Sequence, residues 1–179
     1  MKKVNFLLIV SVLLFCFSLT AYSYDKKDLE KLKTTKECVG GTFSSCNLEG
    51  APIRNLDLSG ANLEGANLRG ATIENTNLSK ANLTGANLEG AKLKFVDLKA
   101  AKLNDAILMN TLLLFVDFDD AELEEAIFQG AKLKGISFRN ANLTDVDLEG
   151  VNTNLVDFSF ASGIEDEKCK NNSVGRCLQ

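Results

Sequence analysis

The sequence predicts an all-β solenoid, a square coil of 20 residues per turn whose successive turns stack as parallel strands. Three observations carry that expectation. From Phe43 to Phe158, 23 of the 24 residues met at every fifth position are Leu, Ile or Phe, and only Thr153 departs. Two residues before each centre the side chain is small or β-branched in nearly every unit, as at Ala51, Ala61, Ala66, Ala71, Ala81 and Ala86, with Val146, Val151 and Val156 relaxing the rule. Nine units place Gly two residues past the centre.

A period of five fits neither a helix nor a long strand. It fits a short extended segment followed by a turn. Residues two apart on an extended chain point to the same side, so each centre and its small partner both face inward. Gly, Asn or Lys then turns a corner, where Gly and Asn tolerate positive φ. Four segments and four corners close a square, and the turns stack at about 4.8 Å.

The 20-residue period is testable within the sequence. One column of centres reads Leu58, Leu78, Leu98, Phe118, Phe138, Phe158, which predicts a phenylalanine ladder in the C-terminal half of the core. Outward columns alternate in sign, as in Glu49-Arg69-Glu89 and Lys99-Asp119-Arg139, so neighbouring strands are expected to pair their charges.

Units such as Ala61-Asn62-Leu63 and Ala86-Asn87-Leu88 resemble the A(D/N)LxX repeat of the pentapeptide-repeat family. The resemblance covers about two-thirds of the chain. It implies a right-handed quadrilateral parallel β-helix of about six coils. Some members of that family resemble a DNA duplex and bind DNA gyrase, so a gyrase-binding DNA mimic is one functional alternative. Those members work in the cytoplasm through strongly acidic surfaces, a setting the mixed-sign columns and the N-terminus of this chain do not match.

Four segments follow along the chain. Residues 1–23 read as a secretory signal peptide: Lys2 and Lys3, an apolar run from Val4 to Phe17, then Ala21-Tyr22-Ser23 with small residues at the −3 and −1 positions of a cleavage site. An uncleaved membrane anchor is the alternative, disfavoured because Ser18 and Thr20 close the apolar run early. Cys16 does not mark lipidation, since bulky Phe15 stands where a small residue is needed. Residues 24–42 form an N-terminal cap, with a short helix expected in Asp25–Lys36 because Leu29 and Leu32 lie three apart in a charged stretch. Residues 43–161 form the β-helix, and residues 162–179 the C-terminal cap. Both ends need covers, because open solenoid edges invite aggregation.

Four cysteines follow the signal segment: Cys38, Cys46, Cys169 and Cys177. Six coils at about 4.8 Å put the caps more than about 20 Å apart, whereas a disulfide needs Cα atoms within about 7 Å. Pairing is therefore expected within each cap, Cys38 with Cys46 and Cys169 with Cys177. The same separation excludes a metal site of four thiolates. Export and paired thiols agree on a periplasmic or secreted bacterial protein.

Composition narrows the chemistry. The chain has no His and no Trp, which removes the usual general base near neutral pH and the commonest metal ligand. No Gly-rich phosphate loop and no Gly-x-Ser-x-Gly motif occurs. The expectation is a non-enzymatic protein with no cofactor, no metal and no catalytic residues. Without Lys2 and Lys3 the 20 basic residues become 18 against 24 acidic, so the mature chain carries −6 and is not expected to bind nucleic acid or, beyond the transient use of its signal peptide, membrane. The acidic run Asp117, Asp119, Asp120, Glu122, Glu124, Glu125 reads as a solvated face partly paired with Lys99, Lys102 and Arg139. Because other parallel β-helices cleave polysaccharides with Asp, Lys and Arg, a glycan-active enzyme is the second alternative.

One departure points to function. Phe95, Ile107, Met109, Leu112, Leu114, Phe115 and Ile127 occupy outward slots that are otherwise polar. Phe95 and Phe115 lie one coil apart, as do Ile107 and Ile127, so these residues form columns over two adjoining faces and the corner between them. A patch of this kind marks an interface with a protein partner or with a second copy in a homodimer, unless side chains fold back or a loop covers it.

Overall fold

The architecture comes from a computed structural model that describes residues 24–38, 46–153 and 155–163. Within them the chain winds as a right-handed four-sided parallel β-helix of about five turns. Layers at Leu58, Leu78, Leu98, Phe118, Phe138 and Phe158 are separated by five 20-residue steps. No helix among the described residues is long and apolar enough to cross a membrane.

Each side of the coil is one five-residue unit, and three of its slots fix the local geometry. The Asn or Asp before the core centre accepts a hydrogen bond from the backbone N–H two residues on. Asn77 accepts from Ser79 at 2.9 Å, Asn87 from Glu89 at 3.0 Å and Asp97 from Lys99 at 2.9 Å. These side chains mimic a backbone turn, which is the physical reason for the recurrent Asn and Asp. A backbone bond such as Ala61 N–H to the Leu58 carbonyl, 3.0 Å, closes the corner. The residue two past the centre takes a left-handed conformation, with φ +67° at Gly60 and +59° at Asp105.

One side departs from this pattern. Before its core centres stand Pro52, Thr72, Lys92, Leu112 and Lys132, none of them Asn or Asp, and here three residues stay extended. They form β1 (Pro52–Arg54), β2 (Thr72–Glu74), β3 (Lys92–Lys94), β4 (Leu112–Leu114) and β5 (Lys132–Lys134), paired in that order and in parallel. Ile53, Ile73, Leu93, Leu113 and Leu133 stand in register along it. The downstream side, centred on Leu58 to Phe158, carries β6 (Ile136–Ser137) and β7 (Val156–Asp157). Elsewhere single bridges join residues 20 apart, as in Asn82↔Lys102↔Glu122 and Ile107↔Ile127.

The core is a filled square tube. Every centre from Leu48 to Leu143 is buried, and burial slackens at Leu148 and Thr153, where the repeat loses regularity. Each buried Leu or Phe contributes roughly 1.5–3 kcal/mol. The expected ladder is present: Phe118 stacks on Phe138 at 4.9 Å and Phe138 on Phe158 at 5.4 Å. Phe128 from the upstream side meets Phe118 and Phe138 edge-on at 6.2 and 5.9 Å, so the aromatic core spans two columns. Thr76 and Thr111 are the buried polar side chains among the described residues, and both hydroxyls donate to backbone carbonyls, of Glu74 and Leu108.

The N-terminal cover is helix α1 (Lys26–Thr35). Asp25 caps it by accepting from Lys27 N–H at 2.7 Å, and Lys36 ends it at φ +57°. Buried Leu29 and Leu32 face the core, while Asp28 accepts from Asn47 N–H at 2.8 Å and ties the helix to the first coil. Cys38 and Cys46 are joined as a disulfide, with Cα atoms 5.3 Å apart, as their spacing predicts. Cys169 and Cys177 lie outside the described residues, as do the signal segment and most of the C-terminal cap.

Charges do pair between turns, some straight along a column, as Arg54 with Glu74, and some diagonally. Within Lys99-Asp119-Arg139, Lys99 reaches Asp117 at 3.0 Å and Arg139 reaches Asp157 at 2.6 Å. The Asp119 carboxylate instead accepts from the Ser137 hydroxyl and from Arg139 N–H. Arg69 pairs with Glu89 at 3.4 Å, and Glu49 accepts from the Asn67 amide at 3.4 Å. Arg69 thus meets its column neighbour, whereas Lys99 and Arg139 reach past theirs to the carboxylate slot two residues earlier. Asp117 and its neighbours raise the Lys99 pKa through a side-chain hydrogen bond and charge.

Candidate protein-interaction face

The seven apolar outward residues all lie in the third, fourth and fifth strand layers, but they are unequal. Phe95 and Phe115 are about half exposed, at 50% and 49%, whereas Ile107, Met109, Leu112, Leu114 and Ile127 are half-buried. Ile107 and Ile127 are bridge partners, so each shields part of the other. The corner between the upstream side and the strand side holds Met109 and Asn110. The phenylalanines sit at the next corner, where the strand side meets the downstream side. Ile107 and Ile127 thus lie on one face, Leu112 and Leu114 on the adjoining strand side and Met109 at the corner between them, while Phe95 and Phe115 extend the apolar residues to the far corner of the strand side.

The phenylalanines form a built column. Both adopt φ near +55°, a conformation that costs a bulky residue about 1–2 kcal/mol. Their rings stack at 5.3 Å and 11°. Below them Phe115 lies over Gly135, where a Cβ would come within 2.7 Å of the ring. Gly135, at φ +64°, thus serves two ends: it turns the corner and leaves room for the ring. Above, Asn55 and Asn75 fill the same column with an amide ladder, Asn75 donating to Asn55 at 3.3 Å. Polar corner slots therefore give way to aromatic ones at a defined layer.

Charge surrounds the apolar centre. Strand register places Lys92 and Lys132 on either side of Leu112, and Lys94 and Lys134 on either side of Leu114. Lys94 also lies 5.3 Å from the Phe95 ring centre. Among the described residues none of these lysines forms an ion pair. Glu74, the nearest acid along the strand side, is held by Arg54 at 2.9 Å. These lysines, Gly135 and the exposed Leu155 that continues the corner column were missed from the sequence. Writing the outward slots of this side in rows of 20 reveals them.

No cluster of His, Cys, Asp or Glu suited to a metal ion occurs among the described residues. The acidic run splits between two sides of the coil: Asp117 and Asp119 line the downstream side, Glu122 and Glu124 the side opposite the strands, with Asp120 and Glu125 at corners. Its members are thereby dispersed rather than focused on one point.

Comparison with known proteins places this geometry. Residues 42–85 match the model of the family described as pentapeptide repeats, in eight copies, and residues 81–158 match that of the pentapeptide repeat region. No curated protein matches the chain. Among solved structures, a pentapeptide repeat protein from the thylakoid lumen of Arabidopsis thaliana is 27% identical, with 63% of this chain and 70% of that one covered and a TM-score of 0.52. The pentapeptide repeat protein Rfr23 from the cyanobacterium Cyanothece 51142 is 25% identical over 84% of this chain and 98% of that one, with a TM-score of 0.46. QnrB1, a plasmid-mediated fluoroquinolone resistance protein, shares 15% identity over 63% of this chain and 74% of that one at a TM-score of 0.33, a level that carries no functional argument. The family models together span residues 42–158, and the chain belongs to the pentapeptide repeat family.

Proposed function

We propose that this chain is a non-catalytic, exported binding protein that presents ordered columns of side chains on a rigid β-helix, with the strand side as its protein-interaction face. The observation that carries this reading is the Phe95–Phe115 stack, half exposed and held in a strained corner conformation beside Leu112 and Leu114. Strain and apolar exposure both carry a cost, and their joint occurrence in one corner column over two adjoining layers favours a compensating role outside the monomer. Burying such surface contributes about 25 cal/mol per Å², or several kcal/mol for two or three large side chains before association entropy is deducted.

The periplasmic or secreted location rests on the apolar N-terminal segment and on the Cys38–Cys46 disulfide. A thylakoid-lumen relative agrees with a non-cytosolic compartment. The double variant Leu114→Lys, Phe115→Glu tests the interface. It is expected to stay folded by circular dichroism, since neither residue is a core centre, and to lose capture of a partner from envelope extracts or any self-association seen in sedimentation. Unfolding would show that the patch is core. A folded variant with every association unchanged would remove the reading.

A further inference from the structure

The strand side is not merely apolar; its outward slots from Lys92 onward contain four lysines and no acid, on a chain whose net charge is −4. Acids do flank it across both corners. On the downstream side Asp117 is taken by Lys99, and on the upstream side Glu89 is taken by Arg69. The four ammonium groups are thus left with no carboxylate from their own chain at ion-pair distance among the described residues. Strand spacing sets their arrangement. Lys92 and Lys132 are two layers apart, about 10 Å, and Lys92 and Lys94 are two residues apart, about 7 Å. The result is a rectangle of positive charge with Leu112 and Leu114 at its centre and the Phe95–Phe115 stack along one edge. Beyond its lower end lies a shallow depression lined by Lys132, Leu133, Lys134, Gly150 and Leu155.

This frame decides between occupants. A second copy meeting the face by a two-fold axis would set eight lysines against one another, and like charges in close apposition oppose association. An anionic membrane would meet, beside the rectangle, the Asp117 and Asp119 slots of the adjoining side as well. A helix lying along the coil axis matches more closely. Its positions i and i+7 are about 10.5 Å apart, with i+3 and i+4 on the same face between them. Acids at i and i+7 would meet lysines two layers apart, and apolar residues at i+3 and i+4 would meet the leucines and the phenylalanine edge.

We propose that the face framed by Lys92, Lys94, Lys132 and Lys134 docks an acidic, amphipathic helical segment of another protein. This rests on the interaction-face reading above and adds the chemistry of the partner. The test uses a fluorescent peptide of three Glu-Ala-Ala-Leu-Leu-Ala-Ala heptads, a twin with Lys for Glu, and vesicles of equal phosphatidylglycerol and phosphatidylcholine. The full chain should bind the Glu peptide with an affinity that falls as salt rises, and should ignore the Lys twin. The quadruple variant K92Q/K94Q/K132Q/K134Q, checked for an unchanged melting curve, should lose about tenfold in affinity, the scale that two acids, each between a pair of exposed lysines, reach together. Equal binding of both peptides, full affinity in the quadruple variant, dimerisation through this face, or vesicle binding without peptide binding would overturn the proposal. If the lysine variant is silent while Leu114→Lys, Phe115→Glu abolishes association, the face remains an interface and only its preference for acids is wrong.

Discussion

At the scale of single residues, the corner slot shows how local cost and outward function oppose each other. Most corners use Gly, Asn or Asp, which reach positive φ with little strain. Phe95 and Phe115 accept that strain and recover part of it by stacking, worth about 0.5–1.5 kcal/mol. Replacing both with Asn would relieve the strain and extend the Asn55–Asn75 ladder. The double variant Phe95→Asn, Phe115→Asn is therefore expected to unfold within about 1 kcal/mol of wild type in urea, although it should lose partner capture. A loss of more than about 3 kcal/mol, the scale of a deleted core aromatic, would mean that the rings hold the coil together. The five-residue register, the inward small residues and the presence of a Phe column were legible in the sequence because a repeat averages over many units. Gly135 was not, since its role depends on where the Phe115 ring turns, and no single-unit pattern encodes that.

At the scale of elements, cross-turn pairs decide local stability. The Asp157 carboxyl accepts from the Ser159 hydroxyl and from Arg139, and these contacts, the serine first, lower its pKa from 3.8 to about 2. With the folded value depressed, the contribution is fully present above 3.8. It is lost as pH falls toward 2, where the unfolded chain binds the proton first. Thermal melts between pH 5 and pH 2 should therefore fall more steeply for wild type than for Asp157→Asn; parallel curves would show that the pair contributes nothing. The alternation of signs along Lys99-Asp119-Arg139 was legible, but the diagonal partners were not. Column arithmetic gives Cα neighbours, whereas the reach of Lys and Arg selects among several carboxylates. The extended side of the coil was likewise missed, because residues other than Asn and Asp also precede core centres on other sides, as at Lys102 and Ile107, where only single bridges form.

For the whole molecule, one rule sorts side chains: every fifth residue and the residue two before it go in, and the rest face water or a partner. The phenylalanine ladder follows from applying that rule along a 20-residue turn, whereas the helical cover and the Cys38–Cys46 link answer the need to close the first coil. What composition could not supply was the frame of lysines, because a net charge conceals how charges are distributed among four sides. The Leu112-Leu113-Leu114 run tests the rule most directly, since hydropathy cannot distinguish its members, yet Leu113 is fully buried and Leu114 faces outward. The decisive measurement is the urea stability of Leu113→Asp beside that of Leu114→Asp. An unpaired carboxylate at the core position should cost at least about 3 kcal/mol or prevent folding, while the outward one should change stability by about 0.5 kcal/mol or less. Equal destabilisation of the two variants would contradict the register, and with it the assignment of the strand side as a surface open to a partner.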